Sequence, residues 1–146
     1  KPRTKVYIID DSLTFRAMLD TLVSRDDDLE ICGMAADAET ALDDIDWHQP
    51  HIILLDQTLP GMDSLAFLDA LKDHWHGTNV IMISSSGEQG IEVCHMALGK
   101  GAIACFDKGK LITSAQEFIT LMDEIRDGEI HPAWHEGKAV TLPMRQ

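Results

Sequence analysis

His51-Ile-Ile-Leu-Leu-Asp56, followed by Gln57-Thr58-Leu59-Pro60-Gly61, is the stretch on which the fold turns. Four apolar residues between Pro50 and a Pro-Gly turn predict a short strand buried on both faces, with Asp56 at its carboxyl end. A carboxylate in that position needs a reason. In an open parallel α/β sheet, ligands bind in the crevice beyond the carboxyl ends of the strands, and Asp56 projects into that crevice.

Upstream, Lys5-Val-Tyr-Ile-Ile9 is a second apolar run, and it leads straight into Asp10-Asp11. Ser12 is placed to cap a helix with Phe15, Met18, Leu19, Leu22 and Val23 at helical spacing. Leu29 to Met34 alternates like a strand near the sheet edge, and Asp37 caps a helix that turns Ala41, Leu42 and Ile45 inward. Downstream, Asp63 or Ser64 opens a helix with Leu65, Leu68 and Leu71 on one side. Asn79 to Ser84 is the fourth strand, Ser85 to Gly90 a flexible loop, and Ile91 to Leu98 a short helix stopped by Gly99 and Gly101. Ala102 to Phe106 is the fifth strand, leading to Asp107-Lys108. Ser114-Ala-Gln-Glu117 is a capping-box pattern, before a helix with Phe118, Leu121, Met122 and Ile125 on its inner face. Strand and helix alternate five times. That order predicts parallel strands joined by right-handed crossovers, a doubly wound α/β sandwich with helices on both faces.

The 146 residues suit one domain, and 45% hydrophobic content is enough for its core. Twelve basic against 25 acidic residues give a formal charge of −13. That charge argues against direct binding to nucleic acid or an anionic membrane and favours metal ions and basic partner surfaces. Cys32, Cys94 and Cys105 are odd in number and lack CxxC spacing, so reduced, buried thiols in a cytoplasmic protein are expected. No apolar run reaches the ~20 residues that span a bilayer, and the N-terminus has no signal-peptide core. The start at Lys1 without Met suggests a fragment. The seven histidines are scattered and are expected in structural or surface roles. Residues 1–127 read as the domain and 128–146 as a tail, either a linker or a strap, with a dimer or output contact as the sharper alternative.

What ends the strands is the informative feature: Asp10-Asp11, Asp56, Ser84 and Lys108 are gathered by a parallel sheet along one edge. Carboxylates crowded there repel, and a hard divalent cation such as Mg²⁺ offsets them while keeping several waters. The Lys108 ammonium and the Ser84 hydroxyl add positive charge and a directional donor. Positive charge and donors around one carboxylate are what a transferred phosphoryl group needs, which makes Asp56 the nucleophile and an acyl phosphate its product.

Ile9-Asp10-Asp11-Ser12, Leu55-Asp56 with Leu59-Pro60-Gly61-Met62-Asp63, Ser84 closing an apolar strand, and Gly101-Ala102 leading to Lys108 together resemble the receiver domain of two-component response regulators. The resemblance runs from about Val6 to Asp127. Its wording is similar to receivers of chemotaxis methylesterases. It implies the CheY-like, flavodoxin-like fold, a five-stranded sheet of order 2-1-3-4-5. It also implies that Asp56 accepts phosphate from a sensor histidine kinase or phosphotransfer protein and that an output domain or protein responds. Asp11, Asp56 and the Thr58 carbonyl would hold Mg²⁺, with Asp10 helping through water. Lys108 would contact phosphoryl oxygens and Ser84 would report their arrival, while Thr58 and Ser86 would tune hydrolysis. On this reading the chain is a phosphoacceptor switch rather than an enzyme.

Three positions depart from the family pattern. Cys105 stands where an aromatic is usual, and strand alternation aims the neighbouring Phe106 to the opposite face. Gly109 replaces a frequent Pro, and Ser64 a common Gly. Three other readings compete. An aspartyl-phosphate phosphatase would carry Asp-x-Asp after its first strand and a cap. A flavin module would have a hydroxyl-rich phosphate loop in place of Asp10-Asp11. A degenerate receiver would act only as a binding module.

Overall fold

In the computed structural model, residues 2–74, 77–85, 87–128 and 141–142 are described. The apolar runs become parallel strands: β1 (Thr4–Ile9), β2 (Leu29–Ala35), β3 (Ile52–Asp56), β4 (Asn79–Ser84) and β5 (Ala104–Asp107). They lie in the order β2-β1-β3-β4-β5, the expected arrangement, and a two-residue strand β6 (Thr141–Leu142) adds parallel to β5. The remainder of the tail, 129–140 and 143–146, lies outside the described residues, as do Trp75, His76 and Ser86.

Period-two alternation divides the core between the two faces. Val6, Ile8, Ile52, Leu54, Ile81, Ile83 and Phe106 pack with residues of α1 (Leu13–Val23) and α5 (Ala115–Arg126). Tyr7, Ile9, Ile53, Leu55, Met82 and Cys105 face α2 (Ala38–His48), α3 (Ser64–Leu71) and α4 (Glu88–Gly99). β3 is buried along its whole length, whereas edge strand β2 is mostly half-buried, as its mixed polarity foretold. The register slips at Cys32, so Tyr7 stands beside Gly33. A Cβ at Gly33 would sit 2.8 Å from the Tyr7 ring. The ring spans the layer, and its hydroxyl donates to Asp44 of α2 (2.8 Å).

Side-chain caps start three helices. Ser12 accepts from the Phe15 N–H, Asp37 from that of Thr40 and Asp63 from that of Ala66, so Asp63 and not Ser64 opens α3. The capping box expected at Ser114 does not form. Its backbone (φ −124, ψ 36) is outside the extended region a capping side chain needs, and no side-chain cap bond is made. On α3, Phe67 is buried and Leu65 only half so, because helix orientation rather than hydrophobicity decides which of them faces the sheet.

The limits of α4 and β5 move. α4 begins at Glu88, not Ile91, because two glycines that read as loop are needed where they stand. Gly87 caps the helix with φ 99, and a Cβ on Gly90 would collide with the Ser85 carbonyl. β5 starts at Ala104, two residues after the expected Ala102, and runs to Asp107, one residue beyond the expected end.

The expectation of three reduced thiols is corrected. Cys94 on α4 and Cys105 on β5 form a disulfide, with Cα atoms 6.1 Å apart, and Cys32 is the free cysteine. Absence of CxxC spacing is no guide here, because the bond joins two elements that the fold, not the local sequence, packs together.

Candidate functional site at the carboxyl ends of the strands

Asp10 leaves β1 just as the sheet ends, with its N–H donating to the Ala35 carbonyl (3.0 Å). Its Oδ1 accepts from the Ser12 N–H (2.8 Å), and its carbonyl accepts from Arg16 Nη1 (2.6 Å). The residue is thereby fixed at both ends and buried, but Oδ2 has no hydrogen-bond partner. Asp56 closes β3, only 4% exposed, while Asp11 faces solvent. One carboxylate oxygen from each of Asp10, Asp11 and Asp56 lies within 4.8 Å of the others.

Lys108 follows β5 and reaches over the ring of Phe15 (4.2 Å to its centre). Its ammonium stands 3.4 Å from Asp56 Oδ1 and 3.6 Å from Asp10 Oδ2. The turn that aims it is held by Asp107, which accepts from the Gly109 N–H (2.9 Å), a bond that proline at 109 could not make.

Burial first, and the neighbouring charge of Asp10 second, push the Asp56 carboxyl up to about 6; Lys108 and the Thr58 N–H act in the opposite direction. Magnitudes explain why a single ammonium does not win. At ~4 Å and an effective dielectric of ~20, each unit-charge pair is worth roughly 4 kcal/mol, so like-charge repulsion and the lysine's attraction are of similar size. Three carboxylates and one ammonium leave two negative charges in the crevice. A hard divalent cation matches that charge and supplies the orphan Asp10 oxygen with a partner, so the donor set fits Mg²⁺.

Ser84 ends β4 fully buried, its hydroxyl without a hydrogen-bond partner among the described residues. Thr58 sits exposed in the turn after β3, with its N–H on Asp56. Ser86 is outside the described residues. Cys105 is close in the fold but faces the α4 side, tied to Cys94. Phe106 points to the opposite layer and meets Phe118 (5.0 Å between ring centres), as strand alternation required. The described histidines form no metal cluster. His51 Nδ1 accepts from the Lys5 N–H, His74 pairs with Asp46, and His48 lies against Tyr7.

Several supporting residues went unnoticed in the sequence. Gln57 Oε1 accepts from both the N–H and the hydroxyl of Ser85 (2.8 and 3.1 Å), linking the ends of β3 and β4. The Ser64 hydroxyl donates to the Gln57 carbonyl (2.9 Å), so serine, where a glycine is common, pins the turn that carries Thr58. Adjacency to Asp56 could have flagged Gln57. Arg16 and Phe15 are visible only once α1 is docked.

Comparison with known proteins identifies the family of the domain. Residues 6–116 match the response regulator receiver domain. Over 121 residues the chain is 40% identical to a protein-glutamate methylesterase/protein-glutamine glutaminase of Shewanella sp. (strain MR-4), covering 83% of this chain and 34% of that protein. A Pseudomonas aeruginosa protein of the same description is 41% identical over 106 residues, 73% of this chain and 30% of its own length. The chain therefore spans about a third of these curated relatives. Among solved structures, the response regulator domain of Thermotoga maritima CheB superposes with a TM-score of 0.75 at 26% identity, covering 87% of this chain and 96% of that one. The receiver domain of NtrX from Brucella abortus gives 0.73 at 28%, covering 84% and 98%. The parallel sheet of order β2-β1-β3-β4-β5 flanked by five helices is the receiver fold. The chain belongs to the response regulator receiver domain family of two-component systems.

Proposed function

We propose that Asp56 is the phosphoacceptor of this receiver. One observation carries the reading: three carboxylates converge within 4.8 Å, and the one at the end of β3 has a lysine ammonium 3.4 Å from its Oδ1. In the transfer, an Asp56 oxygen forms the O–P bond as the N–P bond to a donor histidine breaks, and the leaving imidazole takes a proton. Lys108 favours the ionised form of Asp56, against burial and Asp10, and is placed to meet the phosphoryl oxygens. Asp10 and Asp11, with Asp56 and the Thr58 carbonyl, would hold Mg²⁺, which neutralises charge on the transferred group. The buried, unpartnered Ser84 hydroxyl is a donor in reserve for a phosphoryl oxygen. Ser86 is proposed, with Thr58, to tune hydrolysis.

The donor is a sensor histidine kinase or phosphotransfer protein, which places the domain in the cytoplasm, and among the described residues no helix is long and apolar enough to cross a membrane. The names of its relatives suggest a methylesterase as the output that such a receiver governs. The domain itself acts as a phosphoacceptor switch, its Mg²⁺-dependent chemistry confined to its own aspartate. Acetyl phosphate with Mg²⁺ is expected to add one phosphoryl mass, and chelation or Asp56→Ala to prevent it. Undiminished labelling of the Ala variant overturns the assignment.

A further inference from the structure

We propose that the Cys94–Cys105 disulfide is a redox clamp: closed, it holds α4 against β5; opened by a dithiol, it frees α4 to move. Both cysteines are 0% exposed and sit in the middle of their elements, on the sheet face covered by α2, α3 and α4. The clamp adds to a modest apolar contact between α4 and the sheet, made by Ala97 and Leu98 with Val93 partly buried. The buried residues of α4 are Gly90, Cys94, Ala97 and Leu98, while Ile91 and Met96 are exposed. By contrast, α3 buries Phe67, Leu68 and Leu71. Apolar burial scales with area, so α4 gains less from docking than α3, and the covalent link carries a larger share of its attachment. Its amino end is also weakly fixed. Gly87 caps it with no side-chain hydrogen bond, and Gly90 lies in its first turn.

The position couples the bond to the site. Cys105 pairs in register with Met82 of β4, two residues before Ser84; α4 begins four residues after Ser84, and the Ser85 carbonyl lies against Gly90. A helix bolted to β5 restricts how far the Ser84–Ser85 segment can shift. Only this last consequence rests on Asp56 being the phosphoacceptor.

Opening is thiol–disulfide exchange with a dithiol. A reductant thiolate attacks one cysteine sulfur, the S–S bond breaks, and the other cysteine leaves as a thiolate that takes a proton. The reductant's second thiolate then displaces the first cysteine, which takes the second proton. Two electrons enter the protein and the reductant ends as a disulfide. Closing is the reverse, with a small-molecule disulfide as oxidant. Because neither sulfur is exposed, exchange passes through a state with α4 lifted, so the reduction rate reports how firmly the helix is docked.

The test uses the full chain after dithiothreitol or oxidised glutathione, with no phosphoryl donor present. Alkylation under denaturing conditions is expected to label one cysteine, Cys32, in the oxidised protein and all three in the reduced one. Amide exchange over Glu88–Gly99 should quicken by about tenfold on reduction while β1 and β3 stay unchanged. Cys105→Ala should exchange like the reduced protein under both treatments, and Cys94→Ala replaces it should that variant not fold. Three labels after oxidised glutathione, or equal α4 exchange in the two states, overturn the clamp. Acetyl phosphate and Mg²⁺ are then added, and phosphorylation is expected to alter α4 exchange in the reduced protein alone. An equal response in both redox states refutes control by the clamp. Absence of labelling in both states overturns the phosphoacceptor reading, with the clamp still supported by the first two measurements.

Discussion

The carboxyl end of β1 and β3 and the contact of α4 with β5 lie on the same sheet but are held by opposite means. At the first, buried carboxylates repel one another and a lysine offsets only part of the cost. At the second, small apolar side chains and a disulfide join helix to strand. The acid end is stabilised by what it binds, and the α4 contact by what it already contains. Function and stability are therefore expected to respond in opposite directions to substitutions in the two places.

Short of removing the acceptor itself, the largest effect on rate is expected at Lys108. Lys108→Ala should slow acetyl-phosphate labelling of Asp56 by about 100-fold, the scale of losing one charge-stabilising donor, while leaving the fold intact. A rate within twofold of the parent, read by mass spectrometry, would remove the lysine from the chemistry. At the other region, Cys94→Ala with Cys105→Ala should lower the unfolding free energy by about 3 kcal/mol relative to the oxidised protein, from the short loop the bond closes. Urea melts of the two forms measure this.

The contrast sharpens with Asp56→Asn, which should abolish labelling yet raise stability by about 2–3 kcal/mol at pH 7 without Mg²⁺, the worth of a shift from 3.8 to about 6. The folded state binds this proton more tightly than the unfolded chain does. The penalty is absent below pH 4, grows as pH rises towards 6 and is constant above. Stability of the parent relative to the Asn variant should fall across that window, and Mg²⁺ should restore it at pH 7. A parent–variant difference that does not change with pH would contradict the buried repulsion. The smallest effect separates two caps: in urea melts Asp37→Ala should lower the midpoint and Ser114→Ala leave it unchanged, because only the first makes its bond.

Much of the site was legible because buried strands leave the plainest trace in sequence. Lys5–Ile9 and Ile52–Leu55 are apolar throughout, so the first polar residue after each marks the sheet's edge and gives Asp10 and Asp56. Ser84 follows from the same rule, whereas after the fifth strand the rule gives Asp107, and Lys108 stands one residue further on. What was hidden depends on docking. The partner of Cys94 is eleven residues away on another element, and Arg16 meets the Asp10 carbonyl only after α1 folds back. Gly87 and Gly90 misled for the opposite reason, since each reads locally as a break and is required by the geometry of α4. β6, with two residues, is too short to show any period.

The placement of Phe106 has one more consequence. Its ring stacks obliquely on Phe118 and fastens β5 to α5, while the residue before it fastens β5 to α4 through sulfur. The two helices flanking this strand thus hang from joints of different kinds, one covalent and open to exchange with a dithiol, the other made of ring contact alone.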